Sequence, residues 1–336
     1  MIAQLDSLYI KTRPTKTLTR LMSYALFEGR PVTTKGRWIN PLVFSLLKTV
    51  TATPVGAVWK RAVEKPIFIL GTGRSGSTIL GIVLSMHRHV GYLNEPKAMW
   101  HLIHPNEDVI GNYSSAEAKY RLTAADATDA MKRRAHRLFG AYLASTFSQR
   151  VVDKYPELIF RVNFVRALFP DARFIFLVRN GWDTCHSIAT WSERLGVRVN
   201  GETHDWWGVE NRKWHLLVKQ LVEPDLVFAE CASEIKHFDR HLDRAMVEWI
   251  VTMREGLRLM ETVPACIHQV RFEELTSQPE RTLARLCDFC ELPMDARFLH
   301  YARETLHPVP PRESFDAHPK LAPIFQETME KLGYLA

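Results

Sequence analysis

Residues 66–86 read PIFILGTGRSGSTILGIVLSM. Pro66 to Leu70 is an unbroken apolar run of the kind found in strands buried on both faces. Gly71 to Thr78 is a turn with three glycines, and Ile79 to Met86 is apolar and helix-compatible. Strand, glycine turn and helix together aim backbone N–H groups and a helix N-terminus at one point, which suits a phosphate. Aligned on its glycines, the turn matches G-x-x-x-x-G-K-[ST] in spacing, with Ser77 where that pattern has lysine. The lysine that spans β- and γ-phosphates is therefore missing, and no strand-end aspartate for Mg²⁺ stands out, so the turn points to a smaller anion than a nucleoside triphosphate.

Outward from this turn, short apolar runs alternate with helical stretches, the pattern of an α/β domain on a parallel sheet. Val90–Leu93 leads into Asn94-Glu95-Pro96, residues 150–153 lead into Lys154, and Arg173–Val178 (RFIFLV) leads into Arg179. Ligands of such sheets bind beyond the carboxyl ends of the strands, where these charged residues stand. If a helix begins near Trp182, Ser187 lies in its second turn and can share an anion with Arg179. Residues from about Ser192 to Val263 read as helical and Trp-rich, Ile267–Phe272 as a late strand, and Pro279–Cys290 as an amphipathic helix on Leu283, Leu286 and Phe289. The expected architecture is a P-loop-type three-layer α/β/α fold with a central parallel sheet flanked by helices.

Charge divides the chain in two. The 336 residues hold 44 Lys and Arg against 37 Asp and Glu. Residues 1–60 contain nine of the basic residues and only Asp6 and Glu28 of the acidic ones, so the remainder carries 35 of each sign. A positive arm on a neutral domain argues against a nucleic-acid partner, whose groove needs positive charge across the core. The expected division is a basic arm over 1–60 and a single domain over 61–336, with the acceptor site in the Trp-rich part at about 190–263. The arm carries Tyr9, Tyr24, Phe27, Trp38, Phe44 and Trp59. It reads either as helix docked on the domain or as a peripheral membrane contact. No signal peptide is expected, since Met1–Ile10 has no basic stretch leading into an apolar one, and no spanning helix, because Pro41–Trp59 is broken by Lys48 and Pro54; placement is expected in the cytoplasm, with a membrane-peripheral position left open. Five cysteines suit a reducing compartment, and the Cys287-x-x-Cys290 pair reads as buried packing without a second pair to make a zinc site.

Together GTGRSGST and LFPDARFIFLVRNGWD (168–183) resemble the sulfotransferases, cytosolic and membrane-associated, that use 3′-phosphoadenosine-5′-phosphosulfate (PAPS). VRFEELTSQPERTLARLCDFCELP (270–293) is similar to the late strand-and-helix block after which that family's chain returns to the nucleotide. The resemblance runs discontinuously over about Pro66–Pro293. It implies that the loop Arg74, Ser75, Gly76, Ser77 and Thr78 holds the 5′-phosphosulfate, that Arg179 and Ser187 hold the 3′-phosphate, and that Arg271, with Phe272 or Trp249, lies near the adenine. It implies no metal. Lys154, in VVDKYPE, is implied to stabilise the bridging oxygen, and Glu95, in GYLNEP, to be the base; His87, His89, His101 and His104 offer the alternative base. The recognisable Lys-x-His segment of the family's His branch is not found at these histidines, and Glu157-Leu158 follows Lys154-x-Pro where many relatives have Asn. Trp191, Trp206, Trp207 and Trp214 suit either core packing or a stacked acceptor, so carbohydrate, lipid-linked and small alcohol acceptors stay open. The implied reaction makes a sulfate ester and releases adenosine 3′,5′-bisphosphate; the competing classes are a P-loop nucleotide kinase or NTPase and a non-catalytic bisphosphate-binding protein.

Overall fold

A computed structural model describes residues 4–52 and 60–335. Its strands are β1 (Ile67–Gly71), β2 (Val90–Asn94), β3 (Arg150–Lys154), β4 (Arg173–Val178), β5 (Val197–Val199), β6 (Glu202–Asp205), β7 (Gly208–Val209) and β8 (Ile267–Arg271). Five of them form a wholly parallel sheet in the order β2-β3-β1-β4-β8. Alternate side chains of β1 and β4 enter two cores. Ile67, Ile69, Ile175 and Leu177 pack with Leu80 and Val83 of the helix Ser77–Ser85, whereas Phe68, Leu70, Phe174 and Phe176 pack with Trp100, Phe139 and Trp249. A sheet apolar on both faces must be covered on both, which produces the expected three layers.

Strand order places the site. β1 leads to β2 on one side, while β3 crosses over β1 to reach β4 on the other, so the chain changes direction around the carboxyl end of β1. Register aligns Lys154 with both Asn94 and Ile69, and Gly71 with Leu177. The glycine turn thus leaves the sheet between Lys154 and Arg179, at the crevice where α/β sheets bind ligands.

The stretch expected to be helical from Ser192 onward contains instead a small antiparallel sheet, β5-β6-β7. Val199 pairs with Glu202 across Asn200-Gly201, whose φ angles of 52° and 86° are both positive. That is the two-residue hairpin turn that an Asn-Gly pair favours, and it outweighs the helical look of its flanks. Pro279–Cys290 is a helix, and both of its cysteines are buried, with thiols held up by burial at about 11 and about 12.

The N-terminal helices Ser7–Thr12, Pro14–Met22 and Arg37–Ala52 pack on the domain. Arg20 and Glu28 form an ion pair that is only 2% exposed on either side, Lys16 donates to the Val90 carbonyl at 2.5 Å, and Arg13 pairs with Asp295 at 2.6 Å. Part of the arm's positive charge is therefore spent on internal contacts. Residues 53–59, including Trp59, lie outside the described residues; among the described ones no helix is long and apolar enough to cross a membrane.

Candidate active site

The glycine turn is built to leave donors unpaired. The helix Ser77–Ser85 starts at Gly76, at φ 93°, and no side chain caps it, so its first N–H groups lack intrahelical partners. A Cβ on Gly76 would lie 2.3 Å from the Phe272 ring, and one on Gly73 would lie 2.4 Å from Trp206. Only glycine lets the loop sit between these two rings. The buried hydroxyls of Thr72 and Ser75 have no hydrogen-bond partner.

Two arginines close on this loop. Arg74 Nε donates to Ser187 Oγ at 3.1 Å, and Arg179 Nη1 donates to the Arg74 carbonyl at 3.2 Å. Arg179 also lies over the Phe272 ring at 4.6 Å, while its Nε is buried without a partner. Ser187 stands in the second turn of the helix Gly181–Leu195, as its spacing suggests, and contacts Arg74 in place of Arg179. Burial and then the Arg179 charge lower Arg74 below its ordinary value; burial lowers Arg179, with Asp183 opposing. Arg179 also lies 3.8 Å from the Asp183 carboxylate, and the clustering of Arg74, Arg179 and Arg312 at the loop suits an anion.

Across the loop, β2 and β3 deliver a carboxylate and two ammonium groups. Glu95, in a left-handed turn at φ 54°, donates its N–H to the Lys154 carbonyl at 2.8 Å, which pins the ends of the two strands together. Its Oε1 accepts from Lys154 Nζ, and its Oε2 lies 3.3 Å from Lys97 Nζ. Burial by itself would raise the Glu95 carboxyl, but the adjacent Lys154 and then Lys97 outweigh it and hold the group at about 2. Lys97 is raised above its ordinary value, because Glu95, Glu157 and Glu107 outweigh the effect of its burial.

Thr72, Gly73, Arg74, Gly76, Ser77 and Thr78 of the loop, with Arg179, Ser187, Glu95, Lys97 and Lys154, line one chamber of about 480 Å³, whereas Ser75 does not line it. Beside the loop, Arg179, Ser187 and the Glu95–Lys97–Lys154 group, the chamber is lined by the aromatic residues Tyr113, Tyr120, Phe160, Trp191 and Trp206, the last of them against Gly73. The family pattern described as "Sulfotransferase family" matches residues 66–224 and 225–296. The chain belongs to the sulfotransferase family. Among related sequences, the protein-tyrosine sulfotransferase of Drosophila melanogaster is 23% identical over 70% of this chain and 40% of its own length. An uncharacterised Aquifex aeolicus protein is 23% identical over 73% of this chain and 28% of its own. The chain thus spans well under half the length of these curated relatives. The sulfotransferase STF9 of Mycobacterium avium is a solved structure similar over 98% of this chain and 97% of that one, at 14% identity and a TM-score of 0.49. The sulfotransferase domain of the curacin biosynthetic pathway covers 82% and 100%, at 16% and 0.46.

Several side chains of this sulfotransferase lie elsewhere than expected. Arg271 is not in the chamber wall; its guanidinium lies over the Tyr334 ring at 4.3 Å, and it is the next residue, Phe272, that meets the glycine loop. Trp249 is buried against Phe325 and donates to the Arg179 carbonyl at 3.1 Å, so it positions the arginine. Trp207 and Trp214 are core residues packed edge to face, whereas Trp191 and Trp206 face the chamber. His87, His89, His101 and His104 do not line it; His87 contacts the Pro293 carbonyl and His101 stacks on Tyr113.

Other contributors were invisible to sequence spacing. Trp206 donates to Glu248 at 2.6 Å, and Lys213, almost fully buried, donates to the other oxygen of that carboxylate at 2.6 Å. Arg312 is exposed on a segment whose backbone N–H binds Asp183 at 2.6 Å, and its charge acts on both Arg74 and Arg179. Gly29–Thr33 and Asn40 of the N-terminal region also line the chamber.

Proposed function

We propose that this sulfotransferase moves a sulfuryl group from PAPS to a hydroxyl of a small-molecule, carbohydrate or lipid-linked acceptor, releasing adenosine 3′,5′-bisphosphate. The observation that carries the reading is the meeting, in one chamber, of a donor-rich glycine loop, Arg74 and Arg179, and the Glu95–Lys154 pair. The residues fit a phosphosulfate: the Thr72 hydroxyl and Arg179 Nε are buried and unpartnered, and the first N–H groups of the helix Ser77–Ser85 are uncapped. The donor, when bound, supplies the activated sulfur.

The chain's own residues then have defined tasks. Arg74 and the N–H groups of Gly76, Ser77 and Thr78, aided by the Ser77 and Thr78 hydroxyls, hold the 5′ end, and Arg179, Ser187 and Arg312 the 3′-phosphate. Glu95 takes the acceptor's hydroxyl proton as the new S–O bond forms. Lys154 neutralises the charge that collects on the bridging oxygen as the old S–O bond breaks. These two tasks are coupled by the ion pair. While Lys154 faces Glu95, the carboxylate is a weak base at about 2; turning the ammonium toward the leaving oxygen removes the strongest charge that lowers it, so the base strengthens when the leaving group is engaged.

Calorimetric titration tests the reading: adenosine 3′,5′-bisphosphate is compared with ATP and adenosine 5′-phosphate, with and without Mg²⁺. The expected result is metal-independent binding that favours the bisphosphate and is lost in Arg179→Ala. Preference for ATP with Mg²⁺ would overturn it in favour of phosphoryl transfer.

A further inference from the structure

We infer that the outer face of the N-terminal helices docks on an anionic lipid bilayer. Among the described residues thirteen large hydrophobic side chains are exposed, and seven of them fall within residues 10–46: Ile10, Leu18, Leu21, Leu26, Trp38, Leu42 and Leu46. Exposed apolar side chains scattered singly need no explanation, whereas a contiguous stripe of them marks an interaction surface.

The helix Arg37–Ala52 shows how the surface is made. Asn40, Val43 and Leu47 turn inward and are buried, while Trp38, Leu42 and Leu46, spaced four apart, form a stripe on the opposite side at 70%, 72% and 44% exposure. A helix with an inward face already satisfied has no packing reason to carry a second apolar stripe. Lys35, Arg37 and Lys48 flank the stripe and are exposed. The two carboxylates of this region are turned to internal uses: Asp6 caps a helix through the Tyr9 N–H at 2.6 Å, and Glu28 is buried against Arg20.

Positive charge without exposed negative charge, around leucine and an exposed tryptophan, complements the headgroup region of an anionic bilayer. It opposes a second copy of the chain, because a two-fold contact would set these cations against one another. The surface is also tied to the chamber. The segment Gly29–Thr33 between the helices forms part of its wall, and Phe44 of the striped helix stacks on Tyr113 at 5.5 Å. A docked protein therefore holds its chamber roughly one helix diameter, about 10 Å, from the lipid surface. That position suits an acceptor with a lipid anchor, a consequence that rests on the sulfuryl-transfer reading; the docking itself does not.

The test is flotation of the full chain with vesicles of phosphatidylcholine alone or with a quarter phosphatidylglycerol, in low and high salt. Binding should be at least about tenfold stronger to the anionic vesicles and should weaken as salt shortens the Debye length from about 10 Å to about 3 Å. The triple variant Trp38→Ser/Leu42→Ser/Leu46→Ser, and separately Lys35→Glu/Arg37→Glu/Lys48→Glu, should each lose that binding while retaining bisphosphate affinity, which shows that they fold. Absence of binding by the unaltered protein, or unchanged binding by both variants, would overturn the inference. A dimer that the serine variant dissociates, without any vesicle binding, would also overturn it and assign the face to a second copy. Bisphosphate binding measured on the same samples reports the donor site by itself, so failure at the membrane and failure of the transfer reading are distinguishable.

Discussion

Glu95→Gln removes the charge at the centre of the chamber while keeping the side chain's shape, and its effect has a defined pH dependence. The Glu95 carboxyl titrates at about 2, against 4.5 in an unstructured chain. Since the folded value is the lower one, the carboxylate stabilises the fold fully above the unfolded value, and this contribution is lost as pH falls toward about 2. The gap between 4.5 and about 2 corresponds to at most roughly 3 kcal/mol. With 34% of the side chain exposed to the chamber, solvent screening reduces it to about 1–2 kcal/mol. Urea titrations of the two proteins should differ by that amount at about pH 7, with the difference shrinking from about pH 4 downward. A difference that stays constant down to about pH 3 would refute an ionised pair. Turnover supplies a second reading. A Glu95 base leaves kcat/KM flat between about pH 7 and pH 5, whereas an imidazole base loses rate near pH 6.5. Glu95→Gln should lower kcat by about 10²–10⁴ with bisphosphate affinity unchanged; an acid limb near 6.5, or undiminished turnover, would remove Glu95 from the role.

Gly76→Ala forces a Cβ to within 2.3 Å of Phe272 at a positive φ, so thermal unfolding should register a loss of about 1–3 kcal/mol and calorimetry at least a tenfold loss of bisphosphate affinity. Gly201→Ala, also at positive φ but with nothing within 4 Å, should cost about 1 kcal/mol and leave binding intact, which separates strain from collision. Arg312→Ala should weaken the bisphosphate about tenfold without changing stability, because the side chain is exposed. Glu28→Gln leaves Arg20 buried and uncompensated and should cost about 3–5 kcal/mol in denaturant unfolding, whereas Lys48→Gln, in the same arm but exposed, should cost almost nothing.

The central sheet was legible because PIFIL and RFIFLV are apolar without interruption, which only a strand covered on both faces tolerates. Charged residues directly after such strands could be assigned to the same edge, and Glu95, Lys154 and Arg179 do meet there. Side-chain direction was less legible: Arg271 and Phe272 are adjacent, and a single step along the chain decides which of them faces the glycine loop. The β5–β6 hairpin has a local signal in Asn200-Gly201, a two-residue turn that helical propensity over 192–263 does not register. Lys97, Arg312 and the Lys213–Glu248 pair that holds Trp206 had none, since what they do depends on contacts made only in the fold.

The position of Glu28 shows why the basic arm and the chamber are parts of one arrangement. Glu95 occupies a left-handed backbone conformation that costs a non-glycine residue of order 1–3 kcal/mol and persists only where neighbours hold it. Its own N–H is fixed by the Lys154 carbonyl at 2.8 Å, and the N–H of the preceding Asn94 is fixed by Glu28 Oε1 at 2.8 Å. Glu28 is held in turn by Arg20, which also donates to the Tyr92 carbonyl at 3.2 Å. The strand end that presents Glu95 is thus clamped on one side by the sheet and on the other by an ion pair from residues 20–28. Those same residues lead directly into Gly29–Thr33, which closes the chamber. A sequence can show that residues 1–60 carry excess charge, but charge counting treats Arg20 and Glu28 as cancelling; folded, they are the two members of that arm that hold Glu95 where it faces Lys154.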